Sequence, residues 1–234
     1  MYNERILQYE HETMGKEIRD LLYRYQGNIW LDSVGRSFDD REIYRIIVGN
    51  RTAEKKILFT GAIHGREYMT AKLLVKQTEH FLQYMCEGGN EDFDVAVHVI
   101  PMVNPDGAAL CHRGIEGIRK KELKEKIKKR KHPSVSYELA EQIFQKTGIE
   151  VRITVPGHTQ RGGSPCPYDR VLSTRLGAEA ATLIMKKEYG YMVGIINGKV
   201  KKVPLGDVAG KLKMVSPDDQ LIKEAKCIGI SFGV

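Results

Sequence analysis

A chain of 234 residues, 41% hydrophobic and 29% charged, is long enough for one large domain or two small ones around a packed core. No run approaches the roughly 18 apolar residues of a membrane span, so no membrane partner is expected. Met1-Tyr2-Asn3-Glu4-Arg5 lacks the basic-then-apolar start of a secretory signal. Cys86, Cys111, Cys166 and Cys227 lie far apart with no CxxC pair, which argues against a cysteine zinc site and for the reduced thiols of a cytoplasmic protein.

Residues 9–25 have helical spacing, with Met14, Ile18, Leu21 and Leu22 on one stripe and Gly27 as the stop. Residues 29–31 and 43–48 read as paired strands around a polar turn at 36–40. Residues 57–61 form a third strand without polar alternation, expected to be buried on both faces. A helix follows over 70–85, then a loop at Gly88-Gly89-Asn90. An apolar strand over 93–103 ends in Asn104-Pro105-Asp106-Gly107, where proline, aspartate and glycine occupy the favoured places of a plain turn. This order opens an α/β sheet whose functional loops sit at strand carboxyl ends.

The formal charge of +7 is local. Residues 119–132, RKKELKEKIKKRKH, hold nine basic residues against Glu122 and Glu125, so the remainder is close to neutral. No aromatic residue is interleaved to stack on bases, and the stretch reads as a solvated, partly helical connector rather than a nucleic-acid surface. Beyond it, residues 134–146 fit a helix with Val135, Leu139, Ile143 and Phe144 on one face, and residues 151–155 a strand. A long helix over 168–188 carries Gly177, Ala178, Ala180 and Ala181 toward a close neighbour. Residues 192–203 form a hairpin about Asn197-Gly198.

Two stretches carry chemistry. His64 and Glu67, in Gly61-Ala62-Ile63-His64-Gly65-Arg66-Glu67, place an imidazole and a carboxylate three residues apart after a strand, a pair able to converge on one cation. Pro156-Gly157-His158-Thr159-Gln160-Arg161-Gly162-Gly163-Ser164-Pro165 is a glycine-rich link before a helix. It serves equally as a tight connection or as an anion cradle to which Arg152, His158 and Arg161 bring positive charge.

The HGRE loop, the VIPMVNPDG strand and turn, the SVGRSFDDREIYRIIVGN lead-in and the GIEGIR segment occur in the order of the zinc carboxypeptidase (carboxypeptidase A-like) family, which residues 7–127 resemble. The resemblance implies that His64 and Glu67 bind zinc and that the substrate is a peptide. In that family the third histidine ligand, an Asn-Arg pair, a tyrosine and a glutamate base all follow the NPDG turn. Here none of those motifs follows, so a weak, partial zinc site is expected.

TGIEVRITVPGHTQRGGSPCPYDRVLSTRLG, residues 147–177, resembles the C-terminal region of ATP-dependent 6-phosphofructokinase, and the similarity runs through the GIINGKV hairpin to the end. It implies that His158 and Arg161 contact the 6-phosphate of fructose 6-phosphate, that Arg152 reaches the sugar phosphate of a neighbouring subunit, and that this part forms a homo-oligomer. The ATP loop, the catalytic aspartate and the magnesium ligands of that family have no counterpart here, so ATP and magnesium are implied by family only. The expectation is two partial α/β units: a carboxypeptidase-like fragment over 1–127, a basic junction at 128–133 and a phosphofructokinase-like fragment over 134–234. Such a chimera is inactive in both senses; an active zinc carboxypeptidase and a phosphofructokinase are the alternatives. Each incomplete sheet would leave edges and apolar surface uncovered.

Overall fold

Met14, Ile18 and Leu21 recur at helical spacing, and α1 (His11–Arg24) buries all three, with Leu22 packed at the margin of the same cluster. Gly27 follows the helix with φ +87°, a left-handed conformation that glycine adopts without a Cβ clash. The computed structural model, which describes residues 9–88, 94–132, 134–157 and 162–232, divides into two units, Met1–Ile153 and Thr154–Val234.

The first unit is built on β1 (Ile29–Arg36), β2 (Glu42–Gly49), β3 (Lys56–Thr60) and β4 (Ala96–Ile100), in the order β1-β2-β4-β3. β1 and β4 flank β2 antiparallel, while β3 runs parallel to β4. Parallel neighbours need a crossover, and α2 (Tyr68–Cys86) supplies it. Pairing aligns Ile29, Val48, Val97 and Ile57 in one cross-strand row and Leu31, Ile46, Val99 and Phe59 in the next. These rows share a face, because side chains alternate along a strand. Their central members form one apolar cluster with Met14, Ile18 and Leu21 of α1 and Ala71, Val75 and Leu82 of α2.

Burial fades along those rows. Val48 is fully buried and Val97 nearly so, yet Phe59 is 44% exposed and Leu58, on the opposite face, 59%. The expectation that residues 57–61 are buried on both faces is therefore corrected: β3 is a sheet edge. An unbroken apolar run records what a strand could bury, and nothing local tells it whether a neighbour arrives.

The rest of the unit is helical: α3 (Pro105–Arg113), α4 (Lys121–Lys128) and α5 (Val135–Thr147). Residues 104–107 are not a plain turn. Asn104 is the N-cap of α3, its side-chain oxygen accepting from the Gly107 N–H at 2.8 Å, and Pro105 takes the first position, where its missing N–H costs nothing. The α5 stripe forms, but Val135, Leu139, Ile143 and Phe144 are all exposed and only Ala140 is buried. The strand expected over 151–155 is absent: the segment has no regular structure. β-branched residues favour a strand only when a partner pairs with them.

In the second unit, α6 (Pro167–Met185) precedes the hairpin of β5 (Tyr191–Ile196) and β6 (Lys199–Pro204), followed by α7 (Leu205–Val208) and α8 (Gln220–Cys227). Asn197 and Gly198 both have positive φ, +51° and +73°, as the two-residue turn requires. The small residues of α6 do not meet a close neighbour: Gly177, Ala178 and Ala181 are exposed, and a Cβ built on Gly177 has nothing within 4 Å. Among the described residues of this unit, Leu183 is the one buried apolar side chain, while Met192, Ile195, Ile196, Leu221 and Ile230 are exposed. The helices and hairpin form; a core does not. No helix among the described residues is long and apolar enough to cross a membrane.

Candidate functional site

β3 ends at Thr60, and the chain is then fixed at several points before it reaches His64. The Gly61 N–H donates to Ile100 O at 3.1 Å, Val103 N–H to Gly61 O at 3.0 Å and Asn104 N–H to Ala62 O at 3.0 Å. These bonds fasten the strand exit to the connection between β4 and α3. Ala62 is buried at φ +47°, a conformation costing a residue with a Cβ about 1–2 kcal/mol. Its N–H donates to Thr70 Oγ1, whose hydroxyl donates to Glu67 O, so the first turn of α2 holds the loop from the other side.

Gly65 completes the clamp. A Cβ at this position would lie 2.3 Å from both the carbonyl carbon and oxygen of Gly107. The glycine in HGRE is thus there for close approach to a second backbone. A short 3-10 turn, Gly65–Glu67, follows with His64 before it, and the Glu67 N–H donates to His64 O at 3.0 Å. The turn brings the side chains together: His64 Nδ1 and Glu67 Oε1 are 3.0 Å apart, and both side chains are largely open to solvent.

For bonds of about 2.1 Å, tetrahedral zinc spaces two donors by about 3.4 Å, so the pair fits zinc in donor type and nearly in spacing. The number of donors does not fit a catalytic centre. Among the described residues no group of three or more His, Cys, Asp or Glu side chains is placed to hold one metal ion. His112 Nε2 lies 3.3 Å from Tyr9 O with its ring against Tyr68, and His132 Nε2 is 2.9 Å from Glu141. His158, the third histidine beyond the NPDG turn, lies outside the described residues. No hydrolytic step is derived through a metal held by His64 and Glu67 alone.

Behind the loop stands a buried ionic frame that sequence reasoning missed. Arg41 Nη1 donates to Asp39 and to Asp106, and Arg41 Nη2 donates to Gly117 O. The Asp39 carboxylate also accepts the N–H groups of Arg119 and Lys120 at 2.7 and 2.8 Å. Ser37 Oγ and the Asp39 N–H donate to Asp106. Burial alone would raise the Asp39 pKa, but these donors outweigh it and hold the carboxyl below its usual range. The frame ties the β1–β2 turn to the start of α3 and to the start of the basic stretch, so Arg119 and Lys120 are anchored rather than solvated linker. The signal was present: two acids and an arginine in Phe38-Asp39-Asp40-Arg41, and an acid in the NPDG segment.

Of the three residues assigned to sugar phosphate, His158 and Arg161 lie outside the described residues. Arg152 is exposed, with Glu150 as its nearest acidic partner at 3.8 Å. No ATP or magnesium site is defined among the described residues.

Comparison with known proteins finds both resemblances. The family model described as phosphofructokinase matches residues 100–184. The ATP-dependent 6-phosphofructokinase of Spirochaeta thermophila is 50% identical over 105 residues, which are 45% of this chain and 29% of that enzyme. ATP-dependent 6-phosphofructokinase 3 of Bacteroides thetaiotaomicron is 46% identical over 95 residues, 41% of this chain and 28% of its own length. ATP-dependent 6-phosphofructokinase 1 of Synechocystis sp. aligns over 232 residues at 28% identity, covering 89% of this chain and 64% of that enzyme. The chain therefore spans less than a third of the length of the first of these relatives. Over the N-terminal half the structural neighbours are metallocarboxypeptidases. Carboxypeptidase A from Helicoverpa armigera has a TM-score of 0.40 at 18% identity, covering 48% of this chain and 28% of its own. Bovine thrombin-activatable fibrinolysis inhibitor, in complex with tick carboxypeptidase inhibitor, has a TM-score of 0.38 at 17% identity, covering 45% and 34%.

Proposed function

We propose that this chain joins the first part of a zinc carboxypeptidase-like enzyme to the last part of a phosphofructokinase-like enzyme and turns over neither a peptide nor a sugar phosphate. What remains is binding: a loosely held zinc ion at His64 and Glu67, and the phosphate of fructose 6-phosphate at Arg152, His158 and Arg161. This reading puts the seam at the basic residues 128–133, inside the span 100–184 that the phosphofructokinase model matches.

The His64–Glu67 pair carries this reading. Its donors are of the right kind, 3.0 Å apart and open to solvent, but they are two where peptide hydrolysis at zinc needs three and a base. The C-terminal argument is parallel. An arginine and histidine clamp binds a phosphate, whereas in-line phosphoryl transfer needs a positioned nucleotide and metal as well. The deciding experiment is a pair of calorimetric titrations on the full chain. Zinc should bind one to one, weakly, and not at all to His64→Ala. Fructose 6-phosphate should bind without ATP, and Arg161→Ala should abolish it. Tight zinc binding that survives His64→Ala, or no heat with fructose 6-phosphate, contradicts the reading.

One observation favours a second reading, a phosphofructokinase relative along most of its length: the 28% identity to the Synechocystis enzyme extends over 89% of the chain. ATP-dependent phosphorylation of fructose 6-phosphate by the purified chain would establish it in place of the first.

A further inference from the structure

Among the described residues the outer edge of β3 has no strand beside it, and we propose that its occupant is the β3 of a second copy of this chain, paired antiparallel about a two-fold axis at Leu58. The proposal does not depend on the functional reading above.

The backbone sets the register. Lys55 O accepts from the Ala96 N–H, and the Gly61 N–H donates to Ile100 O, so residues of that parity turn their backbone groups toward β4. The alternate residues, Lys56, Leu58 and Thr60, therefore turn theirs outward. In an antiparallel pair centred on Leu58, the two Leu58 residues exchange both backbone bonds, and each Lys56 does the same with the second copy's Thr60. Every outward N–H and C=O of the strand is then satisfied.

The side chains agree with this register. Ile57 and Phe59 point to the α1 and α2 face, so each Ile57 meets the second copy's Phe59 there and the apolar row through Ile29, Val48 and Val97 continues across the axis. Beside the edge, Ile57, Phe59, Leu74 and Val99 help line an apolar cavity of about 300 Å³ that this contact would cover. Leu58 meets its own copy on the other face. Charge permits this partner: Lys56 is the strand's single charged residue and faces a threonine, so no like charges are opposed. Self-complementarity is the condition for a two-fold contact. β3 carries neither a proline nor a bulge nor an inward charge, and its guards against edge pairing are its short length and the single Lys56.

The test uses sedimentation velocity on the full chain over about 1 to 100 µM, the range in which specific homodimers of ordinary size separate from monomers. The parent should show a discrete monomer–dimer equilibrium. Leu58→Glu and Leu58→Lys each place like charges directly opposite and should weaken dimerisation about tenfold or more. An equimolar mixture of the two should dimerise at least as well as the parent, because the charges now pair. That recovery is impossible for variants that merely misfold. Hydrogen exchange should show the Leu58 and Thr60 amides protected at the high end of the range and not at the low end. A strictly monomeric parent, polydisperse aggregates in place of a dimer, or a mixture no better than its components would each overturn the proposal.

Discussion

Replacing Gly65 by alanine puts a methyl group where the Gly107 peptide already stands. The new Cβ would lie 2.3 Å from the Gly107 carbonyl carbon and oxygen and 2.8 Å from its Cα, so the two segments must part by about 1 Å to reach ordinary contact. Neither can move freely. The Gly107 N–H is held by the Asn104 cap, and the HGRE loop is held by the Ala62 and Thr70 bonds. Forcing a methylene into such a site costs typically 1–3 kcal/mol, and backbone on both sides argues for the upper part of that range. Against this, alanine stiffens the unfolded chain, which returns about 0.4–1 kcal/mol. The net loss is about 1.5–2 kcal/mol, a fall in Tm of about 3–8 °C for a unit of this size. Gly177→Ala is the control, since its Cβ meets nothing within 4 Å inside a helix; it should be neutral or raise local stability by about 0.5–1 kcal/mol. Thermal and urea unfolding followed by circular dichroism measure both. A Gly65→Ala protein that melts with the parent would show that the HGRE loop and the start of α3 are not locked together.

Asp39→Asn should cost about 3–5 kcal/mol in urea unfolding, because it leaves Arg41 buried with half its acidic partners. The depressed carboxyl also sets a pH dependence. Its contribution is complete above the unfolded value of about 3.9 and disappears as pH falls through the lower folded value, so the parent should lose stability below about pH 4 more steeply than Asp39→Asn does. Asn104→Ala should cost about 1 kcal/mol by removing the cap of α3, measurable in the same unfolding experiment. Gly198→Val forces a branched side chain to φ +73° in the β5–β6 turn and should weaken the hairpin by about 1–2 kcal/mol, read from amide exchange of Tyr191–Ile196.

Local signals were legible where the answer is local. Helical spacing located α1, the helices after the HGRE and glycine-rich loops were read as α2 and α6, and Asn197-Gly198 located the second hairpin because two adjacent left-handed residues admit few other structures. The HGRE pair was legible as well, since a three-residue spacing in a strand exit brings the two side chains together whatever lies beyond. What failed depended on absent or distant neighbours. Ile57-Leu58-Phe59 read as doubly buried, and residues 151–155 as a strand, on the assumption that partners exist. The stripe of α5 and the small residues of α6 were real patterns left uncovered in this chain. Asn104-Pro105 carries the same residues in a turn and in a capped helix start, and only the helix that follows distinguishes them. Arg41 and its two aspartates were missed because they are 65 and 2 residues apart in sequence, and nothing in a charged turn announces that it will be buried.

The central claim is that two recognisable enzyme fragments leave no turnover, and it is tested most directly by assaying one purified preparation of the full chain for both reactions. Release of C-terminal residues from a peptide would be followed with zinc supplied and with zinc chelated, and ADP formation from ATP with fructose 6-phosphate and magnesium alongside. The account predicts no rate above the protein-free blank in any arm. Chelator-sensitive release of C-terminal residues, or fructose 6-phosphate-dependent ADP formation, would contradict it.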